Sequence, residues 1–184
     1  MITIDFATTN PHKVREGNSA GRKYGINFRQ IGEEYPEVRD EDVAVVAEEG
    51  VRYVFDRIKK AVIVEDTGLF IEALNGFPGS YSAFVFGKIG NEGILSLLKE
   101  KENRRARFIS AIGYCDPSGV KVFRGIVDGF IVDEVRGAGG FGYDPIFQPQ
   151  GHDKTFAEDY SLKKEISHRK RAFQLFCEWL RENR

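Results

Sequence analysis

The chain has 184 residues, of which 41% are hydrophobic and 30% are charged. These values suit one globular domain and exclude disordered and fibrous chains. The 27 basic and 28 acidic residues nearly cancel, so the broad positive surface of DNA- and RNA-binding proteins is not expected.

Cysteine spacing and hydropathy indicate the compartment. Cys115 and Cys177 lack metal or redox spacing and are predicted to be buried free thiols. No apolar run reaches the roughly 18 residues that a membrane span needs, and the first residues lack the features of a signal peptide. We therefore expect a cytoplasmic protein.

The first elements in chain order are a strand, a helix and a second strand. Residues Ile2 to Ala7 are typical of a short strand. Asn10 is a favourable N-cap and Pro11 suits the first helical position, so a helix is expected to begin there. Glycines and polar residues at 17 to 21 weaken this helix, which is either short or held by packing. Residues 27 to 31 suggest the second strand.

The middle of the chain alternates again between helix and strand. Apolar residues between 42 and 60 follow a helical stripe. Residues 61 to 64 indicate a buried strand, expected to end abruptly at the polar residues 65 to 68. After the turn-forming residues 75 to 79, a helix is predicted around 90 to 101.

A hairpin is the clearest prediction in the second half. Alternating segments at 106 to 114 and 120 to 127 flank the turn-forming residues 116 to 119. Residues 129 to 135 are expected to extend the sheet, and the glycine-rich residues 137 to 151 to be irregular. A last helix carries apolar residues at helical spacing: Leu162, Ile166, Phe173, Phe176 and Leu180. The mixture predicts an α/β protein with a mixed sheet.

The first candidate site is the start of the first helix. A helix N-terminus offers unsatisfied amides and a partial positive charge, both suited to phosphate. Hydroxyls of Thr8 or Thr9 and the ammonium of Lys13 could complete such an anion site. The alternative is an ordinary capped helix with a surface lysine.

The second candidate site is the pair of carboxylates after the buried strand. Such groups can bind Mg²⁺ or position a water. Consecutive strand residues face opposite sides, so Asp66 is the ligand if Glu65 points elsewhere. The alternative is a turn capped by Asp66. Glu37 gains interest as a second carboxylate, although a solvated charge is the usual explanation of an acidic stretch.

Two further segments have both a functional and an ordinary interpretation. Glycines and aromatics at 139 to 145 could approach and stack on a planar base, or fill the core as a tight turn. His168 and Arg169 could donate to a purine carbonyl, and Lys163 could reach a phosphate. Alternatively, these three residues form the charged face of the last helix.

Taken in order, these segments closely resemble the inosine/xanthosine triphosphate pyrophosphatase family, also called Ham1-like. Each motif is weak alone, but the ordered set is specific and covers nearly the whole chain. The motifs are Thr8 to Lys13, Tyr35 to Glu37, Glu65 to Leu69, Phe77 to Ser82, Gly140 to Phe147, Lys163 and Ser167 to Arg169.

The resemblance implies an elongated α/β fold with a mixed central sheet flanked by helices. It implies one nucleotide pyrophosphatase domain over residues 1–184, with two lobes and a nucleotide cleft between them, and a homodimer. The implied reaction is Mg²⁺-dependent hydrolysis of ITP, dITP and XTP to the monophosphate and diphosphate, which cleanses the nucleotide pool. No nucleic-acid or membrane partner is implied.

The resemblance also implies roles for individual residues. Glu37 and Asp66 would bind Mg²⁺, and Asp66 would also be the catalytic proton acceptor. The implied substrate-binding residues are Thr8, Thr9, Asn10, Pro11, His12, Lys13, Thr67, Phe141, Gly142, Tyr143, Asp144, Lys163, His168 and Arg169.

The chain departs from the family pattern at two cations. Many relatives have a lysine near the position of Ala47, and others have arginine or lysine at the position of Ala83. Lys88 is a candidate substitute near the phosphates.

Two alternative functions stand beside the leading one. A Maf-like nucleotide pyrophosphatase would share the general architecture, but residues 141–144 and 167–169 argue against it. A non-catalytic nucleotide-binding regulatory protein would not need both Glu37 and Asp66, so their presence argues for an enzyme.

Overall fold

The computed structural model describes residues 1–36 and 38–183, which form a mixed seven-stranded sheet and its flanking helices. The strands are β1 (Ile2–Ala7), β2 (Ile26–Ile31), β3 (Val62–Ile71), β4 (Pro78–Gly79), β5 (Arg105–Asp116), β6 (Gly119–Ile131) and β7 (Phe147–Pro149). The helices are α1 (Pro11–Gly21), α2 (Val43–Ile58), α3 (Ser82–Leu97), α4 (Tyr160–Ile166) and α5 (His168–Glu182). Short 3₁₀ turns occur at Arg22–Tyr24, Glu72–Leu74 and Asp144–Ile146.

The sheet is mixed, as predicted. Its strand order is β2-β1-β3-β5-β6-β7, and β4 pairs with β3. β1 runs parallel to both of its neighbours, so Phe6 lies beside Gln30 of β2 and Ile63 of β3. β4 and β7 are antiparallel to β3 and β6. The carboxyl ends of β1 and β2 therefore lie at the same edge, where α/β folds commonly bind ligands.

Tertiary packing holds the weak first helix. As predicted, Asn10 caps α1, because its side chain accepts from the backbone N–H of His12, and Pro11 begins the helix. Asn18 bonds to both backbone groups of Phe28 in β2, donating to the carbonyl at 3.0 Å and accepting from the amide at 2.7 Å. Gly17 faces the ring of Phe173 in α5. The residues that disfavour an isolated helix are therefore those that attach α1 to its neighbours.

Helices cover both faces of the sheet around β5. Tyr114 belongs to the apolar cluster that includes Phe173 and Phe176 of α5. A Cβ added at the preceding residue, Gly113, would lie 2.4 Å from the carbonyl oxygen of Ala47 in α2. Because successive strand residues point to opposite faces, α5 and α2 lie on opposite sides of β5.

The described chain divides into two compact units, each with its own core. Unit 1 contains Met1–Asp66, Ser110–Gly125 and His168–Arg184, and unit 2 contains Thr67–Ile109 and Ile126–Ser167. The core of unit 1 includes Phe6, Phe28 and Phe173, and the core of unit 2 includes Leu69, Phe108 and Phe147.

Several predicted boundaries were wrong. β3 does not end at residues 65 to 68 but continues to Ile71, because the side chain of Glu65 is buried among cationic partners within the strand. The last helix is two helices, since Ser167 adopts extended angles of φ −59° and ψ 151° between α4 and α5. α3 begins at Ser82, earlier than predicted, and is kinked at Gly90. The last strand of the hairpin ends at Ile131.

None of the helices formed by residues 1–36 and 38–183 combines the length and apolar character that crossing a membrane requires. Cys115 and Cys177 are buried free thiols, as predicted.

Candidate functional site

The first part of the candidate site is the junction of β1 with α1. The last four residues of β1, Ile4 to Ala7, are buried, and the chain then turns into the helix through Thr8, Thr9 and Asn10. The hydroxyl of Thr8 accepts from the amide of Asn10 at 3.1 Å. The caps fix the first turn of α1, whose N-terminal amides and partial positive charge suit an anion.

Lys13 joins this turn to β3. Its Nζ atom donates to the backbone carbonyl of Glu65 at 2.6 Å and lies 2.9 Å from Oε2 of the same residue. The side chain of Lys13 is mostly buried. The alternative of a surface lysine on an ordinary capped helix is therefore wrong.

Glu65 is the centre of a buried polar cluster in unit 1. Its side chain is fully buried within β3. Its Oε1 atom accepts from Ser110 Oγ at 2.5 Å and from Arg169 Nε at 3.0 Å, while Oε2 faces Lys13. A buried carboxylate is stable only when charges and hydrogen bonds compensate it. Here strand β5 and helices α1 and α5 supply that compensation.

Asp66 follows directly in β3 and is half-buried. Alternation along the strand sends its side chain to the face opposite Glu65. Glu65 is buried and Asp66 is half-buried, so the two carboxylates have different surroundings. The alternative of a turn capped by Asp66 is wrong, because Asp66 lies within a continuous strand.

The donor chemistry of Asp66 fits a hard divalent cation. Mg²⁺ binds through one or two carboxylates and completes its shell with water and phosphate oxygens. Within residues 1–36 and 38–183, no three His, Cys, Asp or Glu side chains gather as a metal site. Glu37, the other predicted ligand, lies outside the described residues.

Arg169 lies deep inside unit 1. It is 2% exposed and donates from Nε to Glu65 and from Nη1 to Glu16, the latter at 2.7 Å. Burial lowers its pKa, but the charges of Glu65 and Glu16 outweigh burial and hold the pKa above its usual value. Arg169 is therefore a permanent buried cation between two carboxylates.

The sharp start of α5 places His168 and Arg169. A Cβ added at Gly125 of β6 would lie 2.0 Å from the carbonyl oxygen of His168 and 2.4 Å from the amide of Ala172. Only glycine permits this close approach of helix to strand. His168 and Arg169 are buried as a result. The alternative that Lys163, His168 and Arg169 form an exposed charged helix face is wrong, since Lys163 is buried as well.

A second polar cluster lies in unit 2, at the glycine-rich segment. Oδ2 of the buried Asp144 accepts from the amide of Phe141 at 2.8 Å and from Lys163 Nζ at 2.7 Å. The same ammonium lies 4.3 Å from the ring centroid of Phe141, within cation–π range. Asp144 thus fixes both Phe141 of this segment and Lys163 of α4.

Helix α3 supports the same segment. The hydroxyl of Tyr143 donates to the carbonyl of Ser82 at 3.1 Å, and Asn91 donates to the carbonyl of Gly142 at 3.2 Å. Tyr143 belongs to the unit 2 core, and burial raises its pKa above the usual value. Phe141 is only half-buried. The core-filling alternative therefore holds for Tyr143, whereas Phe141 is not part of the buried core.

The remaining predicted residues have simpler surroundings. Thr67, the first residue of unit 2, is half-buried in β3 next to Asp66. His12 is half-buried and its Nδ1 atom lies 2.9 Å from the guanidinium of Arg15. Pro11 is exposed at the start of α1.

The two positions with a missing cation have different surroundings. Ala47 is fully buried, at the close contact of α2 with Gly113, so a lysine at this position would lose its hydration. Ala83 is exposed. Lys88, the candidate substitute, holds its ammonium 5.4 Å from the ring centroid of Phe84.

Sequence reasoning missed the partners that organise these clusters. Glu16, Ser110 and Asn91 carry no motif of their own. Glu65 offered a signal, because a single carboxylate inside an apolar run is buried only when cations compensate it.

Comparison with known proteins links these motifs to one family. The model of the Ham1 family matches residues 4–179. A dITP/XTP pyrophosphatase of Methanopyrus kandleri is 51% identical over 184 residues, covering 99% of this chain and 98% of that protein. A dITP/XTP pyrophosphatase of Thermococcus kodakarensis is 46% identical, covering 99% of both.

Solved structures agree with the sequence matches. The Ham1 protein of Staphylococcus aureus superposes with a TM-score of 0.84 at 31% identity, covering 99% of this chain and all of that chain. A HAM1 protein of Coxiella burnetii gives 0.87 at 30% identity with the same coverage.

Proposed function

Because the chain belongs to the Ham1 family, we propose that it hydrolyses non-canonical purine nucleoside triphosphates to the monophosphate and diphosphate. The proposed substrates are ITP, dITP and XTP, and the proposed role is to cleanse the nucleotide pool. Relatives named dITP/XTP pyrophosphatase, 46–51% identical over nearly the whole chain, support this choice.

The observation that carries the proposal is the contact between Lys13 and Glu65. It joins the anion-binding start of α1 to the strand that holds Asp66. A triphosphate needs positive charge and backbone amides for its oxygens, and its hydrolysis needs a carboxylate that positions a water. Unit 1 offers these groups on adjacent elements.

The proposed phosphate-binding residues surround the first turn of α1. Amides of the turn donate to phosphate oxygens, and Thr8 and Thr9 contribute hydroxyls. Lys13 contributes positive charge close to β3. Asn10, Pro11 and His12 complete the turn, whose geometry the Asn10 cap fixes.

Asp66 is the proposed catalytic residue and, with Glu37, the proposed ligand of Mg²⁺. When bound, Mg²⁺ supplies charge neutralisation for the phosphate oxygens and activation of a water. Asp66 orients that water for in-line attack and accepts its proton over a short distance. The fixed direction of the strand holds the carboxylate in place during the reaction.

Base recognition is assigned to buried donors. His168 and Arg169 donate to a six-oxo purine, whereas the amino group of adenine would leave such donors mispaired. The half-buried ring of Phe141 provides a stacking surface. The proposed substrate contacts in unit 2 are Thr67, Phe141, Gly142, Tyr143, Asp144 and Lys163.

We also propose that residues 1–184 act as one pyrophosphatase domain, that the protein is cytoplasmic and that it forms a homodimer. Size-exclusion chromatography with light scattering tests the last proposal. A mass twice the 20.8 kDa of the chain supports it, and a mass of one chain contradicts it.

The direct test is diphosphate release from ITP, XTP, dITP, ATP and GTP, with and without Mg²⁺. Rapid, Mg²⁺-dependent release from the first three supports the proposal. Equal rates on ATP and ITP contradict the specificity. Release from none of the five supports a non-catalytic nucleotide-binding protein instead.

The role of Asp66 is tested by Asp66→Asn, which keeps the shape of the side chain and removes its charge. We expect turnover to fall at least about a thousandfold, since both water positioning and metal binding depend on that charge. The matched control is Asp56→Asn, which changes an exposed carboxylate of α2 and should be fully active. A fully active Asp66→Asn variant removes Asp66 from the mechanism.

A further inference from the structure

Glu65 contacts both functional halves of unit 1 without belonging to either. Its Oε2 atom and its carbonyl contact Lys13, which belongs to the proposed phosphate-binding turn. Its Oε1 atom accepts from Arg169, which belongs to the proposed base-reading motif. One carboxylate therefore touches the two cations on which phosphate binding and base recognition depend.

The surroundings of Glu65 leave it little freedom to move. Its side chain is fully buried, and Ser110 Oγ donates to Oε1 at 2.5 Å from the neighbouring strand β5. The backbone of Glu65 lies inside β3, three residues after Val62, where the strand begins, and six before Ile71, where it ends. Val62 pairs with β1. The carboxylate is thus a rigid acceptor for the longer side chains of Lys13 and Arg169.

Glu16 provides an informative contrast, because it binds Arg169 from helix α1 rather than from β3. Its Oε2 atom accepts from Arg169 Nη1 at 2.7 Å. Two carboxylates on two different nitrogens fix the plane of the guanidinium, since its N–H groups form a rigid fork. Glu65 and Glu16 together therefore set the orientation of Arg169, and Glu65 also holds Lys13 through its carbonyl and Oε2.

We propose that Glu65 is a positioning residue that couples phosphate binding to base recognition by holding Lys13 and Arg169 at fixed places around one buried carboxylate. This inference rests on the proposed function, because it assigns Lys13 to phosphate and Arg169 to the base. Glu65 does not touch substrate. It acts through the two cations. A displacement of either cation by about 1 Å is enough to reduce the rate by about a hundredfold.

The test compares three variants on two substrates, ITP and ATP. For each protein, kcat and KM are measured on both, and the ratio of the two kcat/KM values gives the base discrimination. This ratio is independent of the folded fraction, because both substrates meet the same enzyme preparation. A merely structural role of Glu65 would lower the melting temperature and leave the ratio unchanged.

Each variant has its own expected pattern. Lys13→Met should lower kcat/KM on both substrates by the same factor, so that the ratio stays within about twofold of wild type. Glu16→Gln should lower the ratio of kcat/KM on ITP to kcat/KM on ATP. Glu65→Gln should have both effects. It should lower the kcat on ITP by about tenfold to a hundredfold, and the discrimination ratio by a similar factor.

Ser110→Ala keeps the test decisive if Glu65→Gln does not fold. This change removes one hydrogen bond to Oε1 from a buried strand residue and leaves all charges in place. It should lower the ratio by about threefold or more. The proposal is overturned if the folded Glu65→Gln variant, or Ser110→Ala in its place, keeps both kcat and ratio within about twofold of wild type.

Failure of the proposed function would be seen separately, in the wild-type protein. If wild type releases no diphosphate, the same variants are compared by their dissociation constants for the non-hydrolysable α,β-imido analogues of ITP and ATP. A wild-type preference for the ITP analogue that Glu65→Gln loses supports the positioning role without hydrolysis. Equal binding of the two analogues by wild type overturns both the proposed function and the positioning role of Glu65.

Discussion

The packing of α1 on α5 makes Gly17→Ala a destabilising change, contrary to the helical preference of alanine. An added Cβ would lie 2.7 Å from Cζ and 2.9 Å from Cε1 of Phe173. Real carbon atoms do not approach so closely, so the ring or the helix must move. The ring is fixed, because Phe173 is fully buried with centroids 4.8 Å from Phe28 and 5.9 Å from Phe6. The helix would therefore shift, and with it the turn from Thr8 to Lys13.

A second glycine isolates the size of this effect. Gly87 lies in α3, and an added Cβ would meet no atom within 4 Å. Gly87→Ala should raise the free energy of unfolding by up to about 1 kcal/mol, the difference in helix propensity. Gly17→Ala gains the same propensity but adds overpacking, which costs about 1–3 kcal/mol in a well-packed core. The two variants should thus differ by about 1–3 kcal/mol.

Urea unfolding followed by circular dichroism measures both variants against wild type. The Phe173→Leu background provides the matched rescue, since a smaller side chain relieves the clash and Gly17→Ala should then be less destabilising than in wild type. The reasoning is refuted if Gly17→Ala is as stable as Gly87→Ala, or if Phe173→Leu does not reduce its effect.

Three further predictions concern buried or half-buried side chains. Asp144→Asn should lower the free energy of unfolding by about 3–5 kcal/mol in urea, because the buried ammonium of Lys163 loses its counter-charge; a loss under 1 kcal/mol would contradict this. Asn18→Asp should cost about 1–3 kcal/mol by the same measurement, since a carboxylate cannot donate to the carbonyl of Phe28; unchanged stability would contradict it. Burial raises the pKa of Cys177 to about 12 from 9.0, so the unfolded chain loses this proton first and stability should fall between pH 9 and 12. The decrease in the free energy of unfolding with pH should be up to about 1.4 kcal/mol per pH unit smaller in Cys177→Ala than in wild type. Equal slopes in the two proteins would contradict the assignment.

Local chemistry made much of the fold predictable. Asn10 and Pro11 define the start of α1 through contacts within a few residues, and the turn formers at 116–119 define the hairpin. These signals act over short distances, so the sequence displays them directly. The ordered motifs also led to the family, which the comparisons establish.

Contacts between distant residues explain the errors. β3 was predicted to end at residues 65 to 68. The buried partners of Glu65, Ser110 and Arg169, lie 45 and 104 residues away. No local pattern shows that these charges will meet. The break at Ser167 has no glycine or proline to mark it, and it depends on the close contact of α5 with Gly125. The burial of Lys163 similarly requires Asp144, which lies 19 residues earlier.

The central claim, cleavage of non-canonical purine triphosphates to monophosphate and diphosphate, is tested most directly by competition in one tube. Equimolar dITP and dATP are incubated with the protein and Mg²⁺, and the products are identified by ³¹P NMR and nucleotide chromatography. The account predicts dIMP and diphosphate, with dITP consumed at least about a hundredfold faster than dATP. Equal consumption of the two nucleotides, or dIDP and orthophosphate as products, would contradict it.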